Sequence, residues 1–402
     1  MITSLFPTPD TLSLDALVAR CTSSSTAEPF ADDSIAFCDA LSKRMLRMPG
    51  PQWAALGFFF REAALKKMKS ELAALESADV LRAPRGLVFH VTPGNVDTQF
   101  LYSWLFSLLA GNTNVVRVSS RLPEAAKEAC RALGEMAADL PRIRASSTIV
   151  SYEHDKAITD ALSNACDVRV LWGGDASIAT LRQSPLRADA KEVAFPDRFS
   201  FALLHAERYL AMDEAARTAV ARGLQNDIFI FDQMACSSPK LLAWLGTEAN
   251  ASAARADLWP RLEKLVESAG IRVQTMTALD KLHFAHGELA DGKITSVERF
   301  SNELFVARSN DIESLRSARW GGGLVIETVA PDLDAAMGLV HHSDQTLAHA
   351  GFTRDEVMSL ARRARTRGLA RIVPVGRALA FSRFWDGMDL LSELTRAMSV
   401  ET

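Results

Sequence analysis

Short runs of branched and aromatic residues recur along this chain, and most lead into a stretch with helical periodicity. That alternation constrains the fold more than any other feature. Strands joined by helices pack most simply as neighbours in a parallel sheet covered by those helices. The runs at 86–91 (GLVFHV), 114–118 (NVVRV), 147–151, 168–172 (VRVLW) and 199–204 read as strands. Helices are expected over 97–110, over 123–140 and after residue 174. Gly111-Asn112 reads as the C-terminal cap of the first of these. A second cycle follows: a helix over 213–224, a strand at 241–245, a helix over 253–269, strands at 271–275, 303–307 and 324–329, and a helix over 334–341. The last section reads as helix (354–367), strand (370–375) and helix (389–398). Residues 1–80 read mostly as helix, with Lys66, Lys67 and Lys69 on a solvated face of the stretch 53–75. There is no internal repeat and no low-complexity linker, and the glycine run at 321–323 reads as the most flexible point.

With 402 residues, the chain has material for two or three domains. Its 48% apolar and 23% charged residues are a globular mix, and a net charge of −4 gives no electrostatic case for nucleic acid or an anionic membrane. The five cysteines (Cys21, Cys38, Cys130, Cys166 and Cys236) are odd in number and scattered, with no CxxC pair. That argues against a disulfide framework or a zinc knuckle and fits a reducing cytosol. The N-terminus lacks the basic and apolar regions of a signal peptide. The longest apolar stretch, 100–110, is about half of what a bilayer span needs. The histidines show no metal-ligand spacing: His341, His342 and His349 fall on a helical pattern, and His283 and His286 in a loop. Structural or surface roles are expected for them, and no metal.

Residues 232–240, DQMACSSPK, set Cys236 among small and polar neighbours, behind a helical pattern and the run 227–231. Structural cysteines sit in apolar runs and are inert, whereas reactive ones need partial exposure and surroundings that favour the thiolate. A packed loop cysteine is the alternative reading.

Four segments in this order, HVTPGNVD (90–97), LLAGNTNVVRVSS (108–120), VLWGGDASI (170–178) and DQMACSSPK, resemble the LuxC-type acyl-CoA reductases (fatty-acid reductases), a branch of the aldehyde dehydrogenase superfamily. A fifth, RIVPVGRALAFSRFWDGMDLL (371–391), lies near the C-terminus. The resemblance runs from about residue 85 onward, and residues 1–80 match weakly. It implies an α/β, aldehyde dehydrogenase-like fold of two Rossmann-like domains with an interdomain cleft. The cofactor-binding domain is expected over 1–205 with a return at 368–402, and the catalytic domain, carrying the cysteine, over 206–367. The implied activity is NAD(P)H-dependent reduction of an acyl thioester to an aldehyde, with Cys236 as nucleophile and Asn95 holding the oxyanion. Without the resemblance, Asn95 reads as a turn residue.

No GxGxxG fingerprint follows any strand, and the superfamily departs from it in the same way. The resemblance puts Arg117 at the adenine ribose and includes Thr92, Pro93, Ser119, Ser120, Gly173 and Gly174 in the cofactor site. Ser120, followed by Arg121, stands where NAD-preferring members carry an acid. An acid would repel a 2′-phosphate and this pair would accept one, so NADPH is expected, with NADH as the alternative. Asp175 is expected to cap its helix rather than touch phosphate. Glu303 could hold the nicotinamide ribose or be a surface acid at a strand start. Phe381, Phe384 and Trp385 could line an acyl tunnel or belong to the core.

Hydrolytic relatives carry a base glutamate in a glycine-bearing strand. Here the stretch is KEVAFPDRFS (191–200), the glycines are gone, and Glu192 is the nearest candidate. Loss of that base suits a reductase, because the thioester must survive until hydride arrives. Two rival functions remain at this point: an NAD(P)-dependent aldehyde dehydrogenase working oxidatively, and a non-catalytic acyl-transfer partner of an acyl synthetase. Acyl-protein synthetases or acyl carrier proteins are possible donors, and a homo-oligomer is expected.

Overall fold

The chain divides into two units, Met1–Asp197 with Phe381–Thr402, and Arg198–Ala380, in a computed structural model that describes residues 1–94, 96–120 and 122–401. In the first unit β1 (Ile2–Phe6) and β2 (Asp10–Leu12) precede four helices, α1 (Leu14–Thr22), α2 (Asp32–Met45), α3 (Pro51–Phe59) and α4 (Glu62–Ala73). Then come β3 (Val80–Pro84), β4 (Leu87–Val91), α5 (Gln99–Leu109), β5 (Thr113–Val118), α6 (Glu124–Met136), α7 (Pro141–Ser146) and β6 (Ser147–Ser151). The unit continues through α8 (Lys156–Ala165), β7 (Val168–Trp172), α9 (Asp175–Leu181) and β8 (Lys191–Phe195). Among the described residues these build a seven-stranded sheet in the order β2-β1-β6-β5-β4-β7-β8. The run from β6 to β8 is parallel, and β1 is antiparallel to β6. The chain enters the parallel run at β4, grows outward through β5 and β6, and returns to β7. The order reverses between β4 and β7, and the carboxyl ends of strands at such a reversal are where open α/β sheets receive ligands.

Helix α5 is buried along its whole length, as an all-round apolar helix must be. Its expected end is confirmed in detail. The Gly111 N–H donates to the Leu108 carbonyl (3.0 Å) and the Asn112 N–H to the Ser107 carbonyl (3.1 Å), a Schellman cap. Gly111 has φ +84°, and a Cβ there would lie 2.2 Å from the Ala27 carbonyl oxygen. The Asn112 amide then fastens the strand edge: Oδ1 accepts the N–H groups of Arg85 and Gly86, and Nδ2 donates to the Leu394 carbonyl.

The second unit runs β9 (Phe199–His205), α10 (Ala206–Ala211), α11 (Glu214–Phe229), β10 (Leu241–Leu245), α12 (Glu248–Ser268), α13 (Thr275–Ala290), β11 (Ser296–Arg299) and β12 (Phe305–Arg308). It ends with β13 (Leu324–Ala330), α14 (Leu333–Gly338), β14 (Asp344–Ala350), α15 (Arg354–Ala364) and β15 (Arg371–Pro374). Among the described residues its sheet has the order β11-β12-β13-β10-β9-β14-β15. All neighbours are parallel except the edge pair β11 and β12. Alternate residues of the central strands feed two separate apolar clusters, Leu241, Ala243 and Leu245 on one face and Leu242 and Trp244 on the other. A sheet covered on both faces explains why β10 reads as an unbroken apolar run.

Several expectations are corrected. The boundaries expected at 205 and 368 move, because β9 and β15 belong to the sheet of the second unit. The N-terminal region begins with strands, and the helix expected over 53–75 is two helices, α3 and α4; Lys66, Lys67 and Lys69 are exposed as expected. Residues 271–274 are irregular rather than strand, and His283 and His286 lie on α13 rather than in a loop. His341 and His342 precede β14, and His349 lies on it. The helix expected over 389–398 stops early. After α16 (Leu390–Leu394) the chain becomes β18 (Thr395–Ser399), because β3 offers it a full antiparallel ladder from Thr395↔Pro84 to Ser399↔Val80. The short pair β16 (Phe384–Trp385) and β17 (Met388–Asp389) precedes it.

Candidate active site

Cys236 lies on the loop between α11 and β10. Asp232 and Gln233 both take left-handed backbone angles there (φ 50° and 62°), which non-glycine residues hold only when their surroundings enforce it. The Gln233 side chain, fully buried, supplies that enforcement. Its Nε2 donates to the carbonyls of Pro239 and Leu324 (2.9 Å each), and its Oε1 accepts the Gly323 N–H (3.1 Å). The Asp232 carbonyl accepts the Gly322 N–H (2.9 Å). Ser200, on β9, donates its hydroxyl to the Cys236 carbonyl (2.7 Å) and accepts the Thr346 N–H (3.2 Å). Lys240 donates Nζ to the Trp320 carbonyl (2.8 Å).

The thiol itself is half-buried, and Gln345 Nε2 donates to its Sγ at 3.3 Å. Gln345 is 3% exposed and is the second residue of β14; its Oε1 accepts from the Thr346 hydroxyl (3.3 Å). The other four cysteines are buried. Burial pushes the thiols of Cys21, Cys130 and Cys166 up to about 12, and that of Cys38 upward as well. Cys236 is the cysteine that a reagent can reach.

Glu303 sits half-buried at the bend before β12. Lys281, from α13, donates to the carbonyls of Asn302 (2.7 Å), Glu303 (3.1 Å) and Gly322 (2.5 Å). Burial pulls this ammonium down to about 8. Gly323 is needed here, since a Cβ would lie 2.0 Å from the Glu303 carbonyl oxygen. The glycine run expected to be the most flexible point is instead pinned to Asp232, Gln233 and Lys281. Ser200, Cys236, Glu303, the glycine run and Gln345 thus gather at the amino ends of adjacent strands, β12-β13-β10-β9-β14. Gln233, Lys281 and Gln345 were not legible as site residues. Gln233 lies in the cysteine motif itself, Lys281 inside α13 and Gln345 in the polar strand β14, and no local pattern marks any of them.

In the first unit the candidate residues gather at the opposite strand ends. Thr92, just past β4, donates both N–H and Oγ1 to the Arg117 carbonyl on β5 (3.1 Å each). Arg117 is half-buried; its Nη2 donates to the Tyr152 carbonyl (3.3 Å) and its guanidinium lies 5.4 Å from the Tyr152 ring. Gly94 approaches so closely that a Cβ would stand 2.9 Å from Ser119 Cβ. The structure therefore brings Thr92, Pro93, Arg117, Ser119 and the exposed Ser120 to the carboxyl ends of β4 and β5. Gly173 and Gly174 follow β7, the strand beyond the reversal. Asn95 and Arg121 lie outside the described residues.

Asp175 does not cap its own helix, because Gly174 holds that position. Instead Asp175 Oδ1 accepts the Asp197 N–H (3.1 Å) while Asp197 Oδ2 accepts the Asp175 N–H (3.2 Å). Glu192, on β8, accepts from Arg169 through Oε2 (2.6 and 3.1 Å) and from Arg182 through Oε1 (2.8 Å). Burial pushes its carboxyl up, but the two arginines outweigh that and hold it below the ordinary range. Such a carboxylate is a poor base. Phe381 and Trp385 pack against Tyr102 (5.2 and 5.4 Å between rings) in the first unit, whereas Phe384 is exposed. Among the described residues there is no cluster of three or more metal-ligating side chains, and no helix is long and apolar enough to cross a membrane.

The family model described as acyl-CoA reductase (LuxC) matches residues 66–397. A long-chain acyl-protein thioester reductase of Aliivibrio fischeri is 28% identical over 166 residues, covering 40% of this chain and 33% of that protein. The match thus spans about a third of the length of such curated relatives. Aldehyde dehydrogenase 21 of Physcomitrella patens, solved with succinate, superposes with a TM-score of 0.73 at 12% identity, covering 97% of this chain and 90% of that one. The Mycobacterium tuberculosis aldehyde dehydrogenase solved with NAD+ gives 0.70 at 13% identity, covering 96% and 89%. The fold is that of the aldehyde dehydrogenases, as the sequence motifs implied.

Proposed function

Because this chain belongs to the LuxC acyl-CoA reductase family, we propose that it reduces an acyl thioester to an aldehyde through a thioester on Cys236. One observation carries the reading: a half-buried thiol on a tightly stitched loop, with an amide N–H directed at its sulfur. The Cys236 thiolate attacks the acyl carbonyl carbon. The carbon–sulfur bond to the donor breaks, and the donor thiolate leaves and takes a proton from water. Asn95 is the proposed donor to the oxyanion. A reduced nicotinamide, when bound, supplies the hydride that the acyl carbon needs. Cys236 then leaves with the bonding pair as the aldehyde carbonyl re-forms. Glu192, tied by two arginines, activates no water, which preserves the thioester and disfavours the oxidative, acid-forming direction.

The first unit is proposed to hold the cofactor and the second to carry the nucleophile. The close approach at Gly94 and the strand-order reversal fit a dinucleotide at the carboxyl ends of β4 and β5. At the start of α9 the Asp175–Asp197 pair already takes the N–H group that a pyrophosphate would use. The family resemblance assigns Arg117 to the adenine ribose, Thr92, Pro93, Ser119, Ser120, Gly173 and Gly174 to the cofactor site, and Glu303 to the nicotinamide ribose. Exposed Ser120 in place of an acid supports NADPH over NADH. The donor is proposed to be an acyl-CoA, as the family's description indicates, or an acyl-protein, as the relatives' name indicates. Buried, unbridged cysteines support a reducing cytosol, and a homo-oligomer is proposed from the family resemblance. The test is NADPH oxidation at 340 nm with acyl-CoAs of graded length, beside Cys236→Ala. Oxidation that requires the thioester and vanishes in the variant supports the reading. Oxidation that survives the substitution overturns it.

A further inference from the structure

The geometry points to Gln345 as a catalytic residue: its side-chain amide donates a hydrogen bond that holds Cys236 as the thiolate. Its Nε2 stands 3.3 Å from Sγ, and it is buried in the described structure. The other end of the amide is engaged with the Thr346 hydroxyl. Thr346 is in turn fixed by its N–H on Ser200, whose hydroxyl holds the Cys236 carbonyl. The loop and the amide are therefore locked to one another through β9 and β14. A neutral N–H donor suits this place, because it stabilises a negative sulfur without neutralising it or offering it a proton.

Charged groups also stand on the flanking segments. Asp344, beside Gln345, pairs with Arg316 (2.5 Å) and accepts the His341 N–H (2.9 Å). Lys240 donates to the Trp320 carbonyl, and Asp232, with its carboxyl pushed up by burial, holds Gly322 through its backbone. The amide would act twice in a turnover. Before attack, the Sγ–H proton passes to water and the N–H stabilises the sulfur left behind. At collapse the carbon–sulfur bond breaks, the pair returns to Sγ, and the same N–H receives it.

This inference rests on Cys236 being the nucleophile, but its test reads the sulfur directly. The rate of iodoacetamide alkylation at Cys236 is followed over roughly pH 5 to 10 in the intact chain, with the site assigned by mass spectrometry. The other cysteines, buried and with raised thiols, stay silent in that range. The wild-type midpoint is expected below the ordinary thiol value of about 8.5. Gln345→Leu should raise it by about one pH unit, the loss of one hydrogen bond to a charged atom. Gln345→Glu, which is nearly isosteric, should raise it further by setting a carboxylate against the sulfur. Thermal melts report whether each variant folds, and the wild-type midpoint stands without them. A wild-type midpoint at or above the ordinary value overturns the proposal, as does a folded Leu variant with an unshifted midpoint. Shifted midpoints with no reduction of any acyl thioester leave the contact standing and sink the reductase reading. Reduction with unshifted midpoints does the reverse.

Discussion

The candidate residues of the two units stand at opposite ends of similar sheets. In the first, the candidate residues follow the carboxyl ends of parallel strands, where the chain turns and the backbone at Gly94 comes close to Ser119. In the second, Cys236, Glu303 and Gln345 stand at the amino ends of β10, β12 and β14. The difference teaches what each end offers. Carboxyl ends give backbone geometry suited to a large ligand at a strand-order reversal. At the amino ends of this sheet the strands are entered from irregular loops, which must be fixed by side chains. Gln233 and Lys281 do this by satisfying backbone groups of several segments at once. Precision at the thiol therefore depends on a few buried polar side chains, and the placement of the residues beyond β4 and β5 on the sheet itself.

Four substitutions or titrations would break or sharpen that contrast. Cys236→Ala should lower aldehyde formation by about four orders of magnitude or more, measured as turnover with a saturating acyl thioester. Gln233→Ala should cost about 4 kcal/mol, because two carbonyls and an N–H lose their buried partner. Urea unfolding would read it, and a loss below about 1 kcal/mol would mean that the loop holds itself.

The units should also respond oppositely to acid. His90, buried on β4 between Ser103 and Asn114, is pulled down to about 4 by burial, against the Asn114 hydrogen bond. Its contribution is present above about pH 6.5 and is lost as pH falls through 4, roughly 3 kcal/mol in all. Asp227, on α11, is pushed up to about 7 by burial, against the N–H groups of Gly376 and Ala378. Its contribution is present below about pH 4 and is lost as pH rises through 7. Amide exchange, corrected for intrinsic rates, should therefore speed up in β4 and slow down at 376–378 between pH 7 and 4. Parallel changes in both segments would refute the contrast. The smallest effect is expected beyond β5: Ser120→Asp should shift the kcat/KM preference from NADPH toward NADH by about tenfold.

What could be read in advance follows the range of the contacts involved. The strands at 147–151, 168–172 and 241–245 stood in the sequence with their observed limits, because each is a short run dominated by branched or aromatic residues. The Gly111 cap was equally plain, being local. β18 was not, since its partner β3 lies more than 300 residues away and its own sequence, TRAMS, carries no strand pattern. β14 was hidden by DQTLAHA, whose polar residues are buried or half-buried at the active-site end and along the strand. Cys236 is singled out by its neighbours and the family motifs. Gln345 was not, because the hydrogen bond that gives it meaning spans 109 residues.

The most direct test of the account is mass spectrometry of the chain after incubation with an acyl thioester, without and then with NADPH. One acyl adduct, mapped to Cys236, should accumulate without cofactor and disappear as aldehyde forms when NADPH is added. Aldehyde formed with no adduct at Cys236, or an adduct that NADPH never discharges, would contradict it.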